Sequence, residues 1–367
     1  MEIYDRICKP TLLLNVETTR RNIARMADKA RAAGVRFRPH FKTHQSTAIG
    51  EWFRPHGVTA ITASSLEMAE YFAAAGWDDI TVAFPVNVRE MDAINRLAER
   101  IQLNLLVEST ETAGLLNRKL STPVNIWIKV NAGANRTGLQ WSAAHEIVSL
   151  AQSVAAAGSK LRFQGLLTHA GHTYAAVGAE AIGKVYHESV ERMDALRRAV
   201  QAAGLPCELS VGDTPAATLA PDLGAVDEIR PGNFVFYDSH QYLRQVCRAE
   251  DIAVAVACPV VARHPEREEI VVYGGAIHLS KDFVQDGDRR VYGLVAQPSA
   301  GGWSAPVEGA YVSSLSQEHG ILKVPRAAFA RFPIGSLAVI LPAHSCLTVQ
   351  VMRKFLTLDG QVIETLN

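Results

Sequence analysis

The chain has 367 residues, long enough for one large domain and a smaller one. Lys plus Arg and Asp plus Glu balance at 37 each, so there is no charge footprint for nucleic acid or an anionic membrane as partner. At 48% hydrophobic and 20% charged it composes like a globular protein, and no apolar run reaches membrane-spanning length.

The start, Met1-Glu2-Ile3-Tyr4-Asp5-Arg6, lacks the apolar stretch of a signal peptide. Cys8, Cys207, Cys247, Cys258 and Cys346 are widely spaced and form no C-x-x-C pair. Both features predict a cytoplasmic protein with reduced thiols. Leu12 to Val16 reads as a strand, and Glu17 to Ala33 as a helix with Ile23, Met26, Ala27 and Ala30 on one face and Gly34 at its end. Arg38-Pro39-His40-Phe41-Lys42-Thr43-His44 follows and reads as a short strand running into a loop. Arg38, His40, Lys42 and His44 would share one face.

Helices are then predicted at Gln45–Phe53, Leu66–Ala75, Arg89–Arg100, Thr110–Leu120, Ala143–Ala157 and Gly178–Ala203. They alternate with strands at Ala60–Ser64, Ile80–Phe84, Leu103–Val107, Val124–Val130, Phe163–Thr168, Leu209–Val211 and Ile229–Phe236. Counted from the lysine strand, this makes eight β units joined by helical crossovers. The count fits a closed (β/α)8 barrel. An open doubly wound sheet is the competitor, but no G-x-G-x-x-G follows the first strand. From about Asp251 short strands dominate: Val254–Cys258, Glu269–Tyr273, Val291–Val295, Ala310–Val312, Leu337–Leu341, Thr348–Val351 and Lys354–Leu356. The fold class is therefore α/β plus all-β: a TIM-like barrel over residues 1–245 and an antiparallel β domain over 246–367.

Chemistry in a barrel gathers at the C-terminal strand ends. Lys42 stands at the end of the first strand, among other cations that disfavour its ammonium form. A neutral lysine amine attacks carbonyls. A solvated edge strand is the bland alternative. Asn131-Ala132-Gly133-Ala134-Asn135-Arg136-Thr137-Gly138 offers glycines for close backbone approach and Arg136 as a planar cation. Thr168-His169-Ala170-Gly171-His172-Thr173-Tyr174 places two imidazoles and a phenol in one strand-end loop. Val211-Gly212-Asp213-Thr214-Pro215 looks like a phosphate loop at a helix start, and Arg230 to Asp238 adds a cation, Gly232 and the phenol of Tyr237. A lysine at one strand end and a phosphate cradle near the last strands fit pyridoxal 5′-phosphate. In the β domain, Pro342-Ala343-His344-Ser345-Cys346 places an imidazole and a thiol two residues apart. On an extended segment these share a face and suit zinc. Ser316-Gln317-Glu318-His319-Gly320 could supply a third ligand, a partner to the ligands, or only a turn.

Taken in order, these segments resemble the D-serine dehydratase/D-threonine aldolase family, which belongs to the fold-type III group with alanine racemase. The resemblance implies an alanine-racemase-like barrel and a homodimer with its active site between domains. It implies that Lys42 carries pyridoxal phosphate as a Schiff base. Arg136 and Arg230 would lie beside the cofactor ring, with Tyr174, His169, Gly232 and Tyr237 nearby and Gly212, Asp213 and Thr214 at the phosphate. His344 and Cys346 match the family's metal pair. His-x-Cys points to a dehydratase with zinc, whereas His-x-Asp with Mn2+ or Mg2+ is the aldolase pattern. Two departures stand out: Asn131-Ala132-Gly133 replaces an Asp-x-Gly, and Asp213 puts a carboxylate where a hydroxyl is usual. The implied reaction removes water from a D-β-hydroxy amino acid, giving a keto acid and ammonia, with Lys42, Tyr174 and His169 as the catalytic set. The alternative is retro-aldol cleavage to glycine and an aldehyde. The substrate side chain and the roles of His40, His44, His172, Glu318 and His319 stay open.

Overall fold

The computed structural model describes residues 2–366. Contacts divide the chain into two compact units. One unit is Arg25–Lys42 with Gly50–Gly232; the other is the chain up to Ala24, Thr43–Ile49 and the chain from Asn233.

The first unit is the expected barrel. Its strands are β1 (Arg36–Phe37), β2 (Ala60–Ala63), β3 (Asp79–Pro85), β4 (Gln102–Val107), β5 (Val124–Asn131), β6 (Leu161–His169), β7 (Glu208–Gly212) and β8 (Glu228–Ile229). They pair in parallel in the order β1-β8-β7-β6-β5-β4-β3-β2. The ring closes where His40 bridges Thr62, with Phe41 N–H donating to Thr62 O and Thr62 N–H to Pro39 O, each at 2.9 Å. Strands covered on both faces need no alternation, which is why Val124 to Asn131 is buried at every residue.

Three layers fill the barrel. At the N-terminal strand ends lies a polar circuit. Arg38 gives Nη1 to Asp79 Oδ1 (2.6 Å) and Nε to Glu228 Oε2 (2.7 Å), Asn104 donates to Asp79 (2.9 Å), and Asn125 donates to Asn104 (3.1 Å). Above it sits an apolar plug of Leu106, Trp127 and Leu167. The third layer, at the C-terminal strand ends, is the mouth described below. Gly165 on β6 is required by the close approach of β7: at φ +158° a Cβ there would lie 2.0 Å from Glu208 O.

The structure changes three elements. The lysine segment is not a strand from Arg38 to His44; β1 ends at Phe37, His40 makes a lone bridge, and Lys42 lies in a turn. Proline at 39 removes one ladder donor, and Phe41 turns into an aromatic box instead. Its ring packs 5.0 Å from Phe53, 4.9 Å from Phe72 and 5.1 Å from Trp77. Likewise β8 stops at Ile229, and a 3-10 turn follows at Asn233–Val235. Finally, Thr348–Val351 belongs to a helix, Ser345–Met352, not a strand. The β-branched residues there misled the periodicity.

In the second unit β9 (Val254–His264) pairs with β10 (Glu269–Tyr273) and, antiparallel, with β14 (Leu337–Pro342). The path β10-β13-β12-β11-β14 returns to β9 through β13 (His319–Lys323), β12 (Tyr311–Leu315) and β11 (Gly293–Ala296), closing a small antiparallel barrel. The predicted first strand, observed at Thr11–Leu14, joins this unit by pairing with Val254–Ala257. Among the described residues no helix is long and apolar enough to cross a membrane, and all five cysteines are free thiols.

Glu228 is fully buried and takes bonds from Arg38 and from Ser210 Oγ (2.6 Å). Burial alone would raise its carboxyl, but Arg38, Ser210 and Arg230 outweigh this and hold it below its ordinary 4.5. Its stabilising contribution is therefore present above that value and is lost as the pH falls. Glu228→Ala should lower the unfolding free energy by about 3–5 kcal/mol, because Arg38 is left as a buried charge without this counterion. Urea unfolding at pH 7 checks this: a loss under about 1 kcal/mol would show that Asp79 alone satisfies Arg38.

Candidate active site

The aromatic box fixes the chain just before Lys42. Gly50 belongs to the fit, since a Cβ there would come within 3.1 Å of the Phe41 ring. Lys42 N–H donates to His40 Nδ1 at a long 3.4 Å, so that nitrogen carries no proton. Burial first, then Lys42, Arg230 and His169, pushes the His40 imidazole well below its usual range. His169, at the end of β6, is lowered in the same way by burial and by Lys42, Arg136, Arg230 and Lys129. Both imidazoles are thus neutral at pH 7.

Arg230 follows β8 and is bolted to the barrel wall. Its Nε donates to Ser210 Oγ (2.7 Å) and Nη2 to Thr168 O (2.6 Å). Gly212 makes room for it, because a Cβ would meet Arg230 Nη1 at 3.2 Å. Burial lowers even this guanidinium to about 10. Arg136 rides on the exposed loop after β5, which Asn131 knots by accepting from Gly133 N (3.1 Å) and Asn135 N (3.0 Å). Asn131 thus does the turn-closing work of the aspartate the resemblance places in this loop.

Asp213 does not project as a free anion. Its Oδ1 caps the helix Thr214–Leu219 by accepting from Ala216 N (2.7 Å), and it also accepts from Thr173 Oγ1 (3.0 Å). Burial pushes its carboxyl up to about 6, against the pull of these donors and Arg230. Tyr174 stands 6.1 Å from His169 between ring centroids, and its hydroxyl accepts from Thr214 N at 3.4 Å. Lys42, Arg136, His169, Tyr174, Gly212, Asp213, Thr214, Arg230 and Gly232 all lie in the barrel unit, whereas Tyr237 is buried in the β unit at φ +48°.

Two residues of the mouth escaped the motif search. Lys129 is buried on β5 and donates to Val130 O (3.0 Å); burial, Arg230 and Arg136 bring it down to about 7. Glu108 follows β4, acts electrostatically on Lys129 and has a buried Oε1 without a hydrogen bond. A lysine inside the otherwise apolar run Ile126-Trp127-Ile128-Lys129-Val130 was the available signal.

In the β unit His344 is the residue before the helix Ser345–Met352, with extended backbone (φ −139°, ψ 105°). His344 and Cys346 therefore meet around a helix start, not along a strand. His344 Nδ1 lies 2.7 Å from Asp282 Oδ2, and its ring also hydrogen-bonds the Cys346 side chain. Burial opposes the imidazolium, but Cys346 and Asp282 outweigh it and raise His344 to about 11. Thr43 Oγ1 is 3.2 Å from Cys346 Sγ, and Asp238 accepts from Ser345 N (3.0 Å) and Asn233 Nδ2 (2.6 Å). Thr43 is the residue after Lys42 in the chain.

The Ser316–Gly320 segment is the turn of the β12–β13 hairpin. Glu318 O accepts from Gly274 N (2.9 Å), and His319 lies opposite Tyr273 in the ladder. Among the described residues no group of three or more His, Cys, Asp or Glu could hold a metal ion. A thiol and an imidazole are donors of the type that suits zinc, and the Asp282 carboxylate lies behind the imidazole.

The Alanine racemase, N-terminal domain model matches residues 14–240, and the Putative serine dehydratase domain model matches 253–358. The D-threo-3-hydroxyaspartate dehydratase of Delftia sp. (strain HT23) is 32% identical, over 96% of this chain and 95% of its own length. A D-serine dehydratase of Dictyostelium discoideum is 26% identical over 97% and 95%. A D-threonine aldolase of Arthrobacter sp is 20% identical over 92% and 86%. The solved Delftia enzyme superposes with a TM-score of 0.89 at 31% identity, covering 99% and 98% of the two chains. A cysteine-to-alanine mutant of that enzyme, described as the metal-free form, matches equally with a TM-score of 0.89. With an alanine-racemase-type barrel over most of its length and a serine dehydratase domain behind it, the chain belongs to the alanine-racemase-like family of fold-type III lyases that includes these dehydratases.

Proposed function

We propose that the protein is a pyridoxal phosphate- and zinc-dependent dehydratase of D-β-hydroxy amino acids, releasing a keto acid and ammonia. The observation that carries this is the barrel mouth. Lys42, Lys129, Arg136 and Arg230 act electrostatically on one another or on His40 and His169, with Glu108 as the one acid acting on Lys129. Lys129 and Arg230 are buried among them, and cations so crowded call for an anionic ligand. The phosphate and ring oxygen of pyridoxal 5′-phosphate fit it, and Lys42 is the amine for its aldehyde. When bound, that cofactor supplies the electron sink for a carbanion at the substrate α-carbon.

The chain's own residues do the rest. Lys42 Nζ would hold the cofactor and is the amine that would take the substrate α-proton. Arg136 and Arg230 balance negative charge on the ligand, and Arg230 does so from a fixed position because the wall holds three of its hydrogen bonds. The neutral His40 and His169 add no further positive charge beside Lys42. Thr214 N–H and the Tyr174 hydroxyl that accepts from it mark the helix start at which a phosphate would sit, and the inward turn of Asp213 removes the carboxylate that would oppose it. His344 and Cys346 would hold zinc, which as a Lewis acid suits a β-hydroxyl leaving group. We read the working form as a cytoplasmic homodimer, a setting that keeps the Cys346 thiol reduced.

Lys42→Ala should remove the visible absorbance of the lysine-bound cofactor and lower turnover by about three orders of magnitude or more, to the level of other side-chain knockouts of covalent catalysis. Retained absorbance in that variant would exclude Lys42 as the attachment point. Product analysis of the zinc-loaded holoenzyme with D-threo-3-hydroxyaspartate and with D-serine should give keto acid and ammonia, and Cys346→Ala should lose bound zinc and turnover together. Glycine plus an aldehyde from any β-hydroxy substrate would instead make the enzyme an aldolase.

A further inference from the structure

Asp282 is 62 residues from His344 in the chain, yet its Oδ2 lies 2.7 Å from His344 Nδ1. The contact is built rather than incidental. The helix Ala276–Leu279 starts at Gly274-Gly275, which is pressed against the β12–β13 turn: a Cβ on Gly275 would lie 2.4 Å from Gln317 O and 2.5 Å from Ser316 O. Ala276 N and Ile277 N donate back to Ser316 O (2.8 Å) and Gln317 O (3.3 Å). The other end is tied to the His344 helix by Thr348 Oγ1 donating to Leu279 O (3.2 Å). Ser280 then reverses the chain at φ +67°, a conformation unfavourable for a residue with a Cβ, and its hydroxyl accepts from Asp282 N (3.3 Å). The Ser316–Gly320 turn thus acts as the buttress that aims Asp282.

An ionised carboxylate only accepts hydrogen bonds, so the ring nitrogen facing Asp282 must carry the proton. That leaves the lone pair of the neutral ring on Nε2, the atom that could donate to a metal ion. We propose that Asp282 is a positioning residue that fixes the tautomer and ring orientation of His344, presetting the His344–Cys346 pair for a divalent metal. This rests on the metal reading above, and carboxylate–imidazole pairs behind zinc ligands have this role generally, worth about 10–100-fold in metal affinity.

The test is zinc affinity of the cofactor-loaded enzyme, measured by competition with a chromophoric chelator, in Asp282→Ala, Asp282→Asn, Cys346→Ala and wild type. Asp282→Ala should bind zinc about 10–100-fold more weakly. Asp282→Asn keeps an acceptor oxygen for Nδ1–H and should lose less, and it covers the case in which the alanine variant does not fold. The visible absorbance at Lys42 should match wild type in both, which separates lost positioning from lost fold. Wild-type zinc affinity in both Asp282 variants, with binding abolished in Cys346→Ala, would overturn the role of Asp282 alone. Equal zinc binding by Cys346→Ala and wild type would overturn the metal reading and this inference with it.

Discussion

The barrel is organised around positive charge that it must bury. Arg38 and Arg230 lie inside it, each 4% exposed, and Lys129 is 6% exposed. Isolated ions of this kind would not stay charged in such surroundings. Glu228, between Arg38 and the Ser210 hydroxyl that also accepts from Arg230, is the counterion for both. It links the polar circuit at one end of the barrel to the mouth at the other. The lower end is balanced by Glu228 and Asp79. At the upper end Lys42, Lys129, Arg136 and Arg230 outnumber Glu108, Asp213 and Glu228, the excess on which the proposed anion site rests.

The same physics sorts the titratable groups into roles. Imidazoles buried among cations lose their protons, so His40 and His169 are polar surfaces more than charges. A carboxylate at the presumed phosphate loop is tolerable because it is spent on a helix cap and a threonine. In the β unit the arrangement reverses: one imidazole lies between a thiol and a carboxylate and holds its proton tightly in the absence of a cation. Each site is electrostatically unfinished in the sense that suits the ligand proposed for it, an anion at the barrel mouth and a cation at the His344–Cys346 pair.

The chain is anchored on either side of Lys42. Lys42 is followed directly by Thr43, whose hydroxyl touches the Cys346 sulfur. Phe41, immediately before Lys42, is locked by three aromatic rings. Lys42 therefore stands between two anchored neighbours in the chain, which suits the reacting amine proposed for it.

Sequence alone determined the repeating βα pattern, the place of Lys42 in the segment after the first barrel strand, the strand-end loops and the late His-x-Cys pair. These are local properties: turn residues, periodicity and motif spacing record them directly. Tertiary structure decided the rest. It shortened β1 and β8, because Phe41 and the Asn233 turn found partners distant in sequence. It turned Thr348–Val351 into a helix against β propensity, and it turned Asp213 inward. Lys129 and Glu108 belong to no motif; they gain meaning only when the closed ring brings their strands around one space. Asp282 carried no local signal at all; its meaning lies in one hydrogen bond across 62 residues, which a linear pattern does not record.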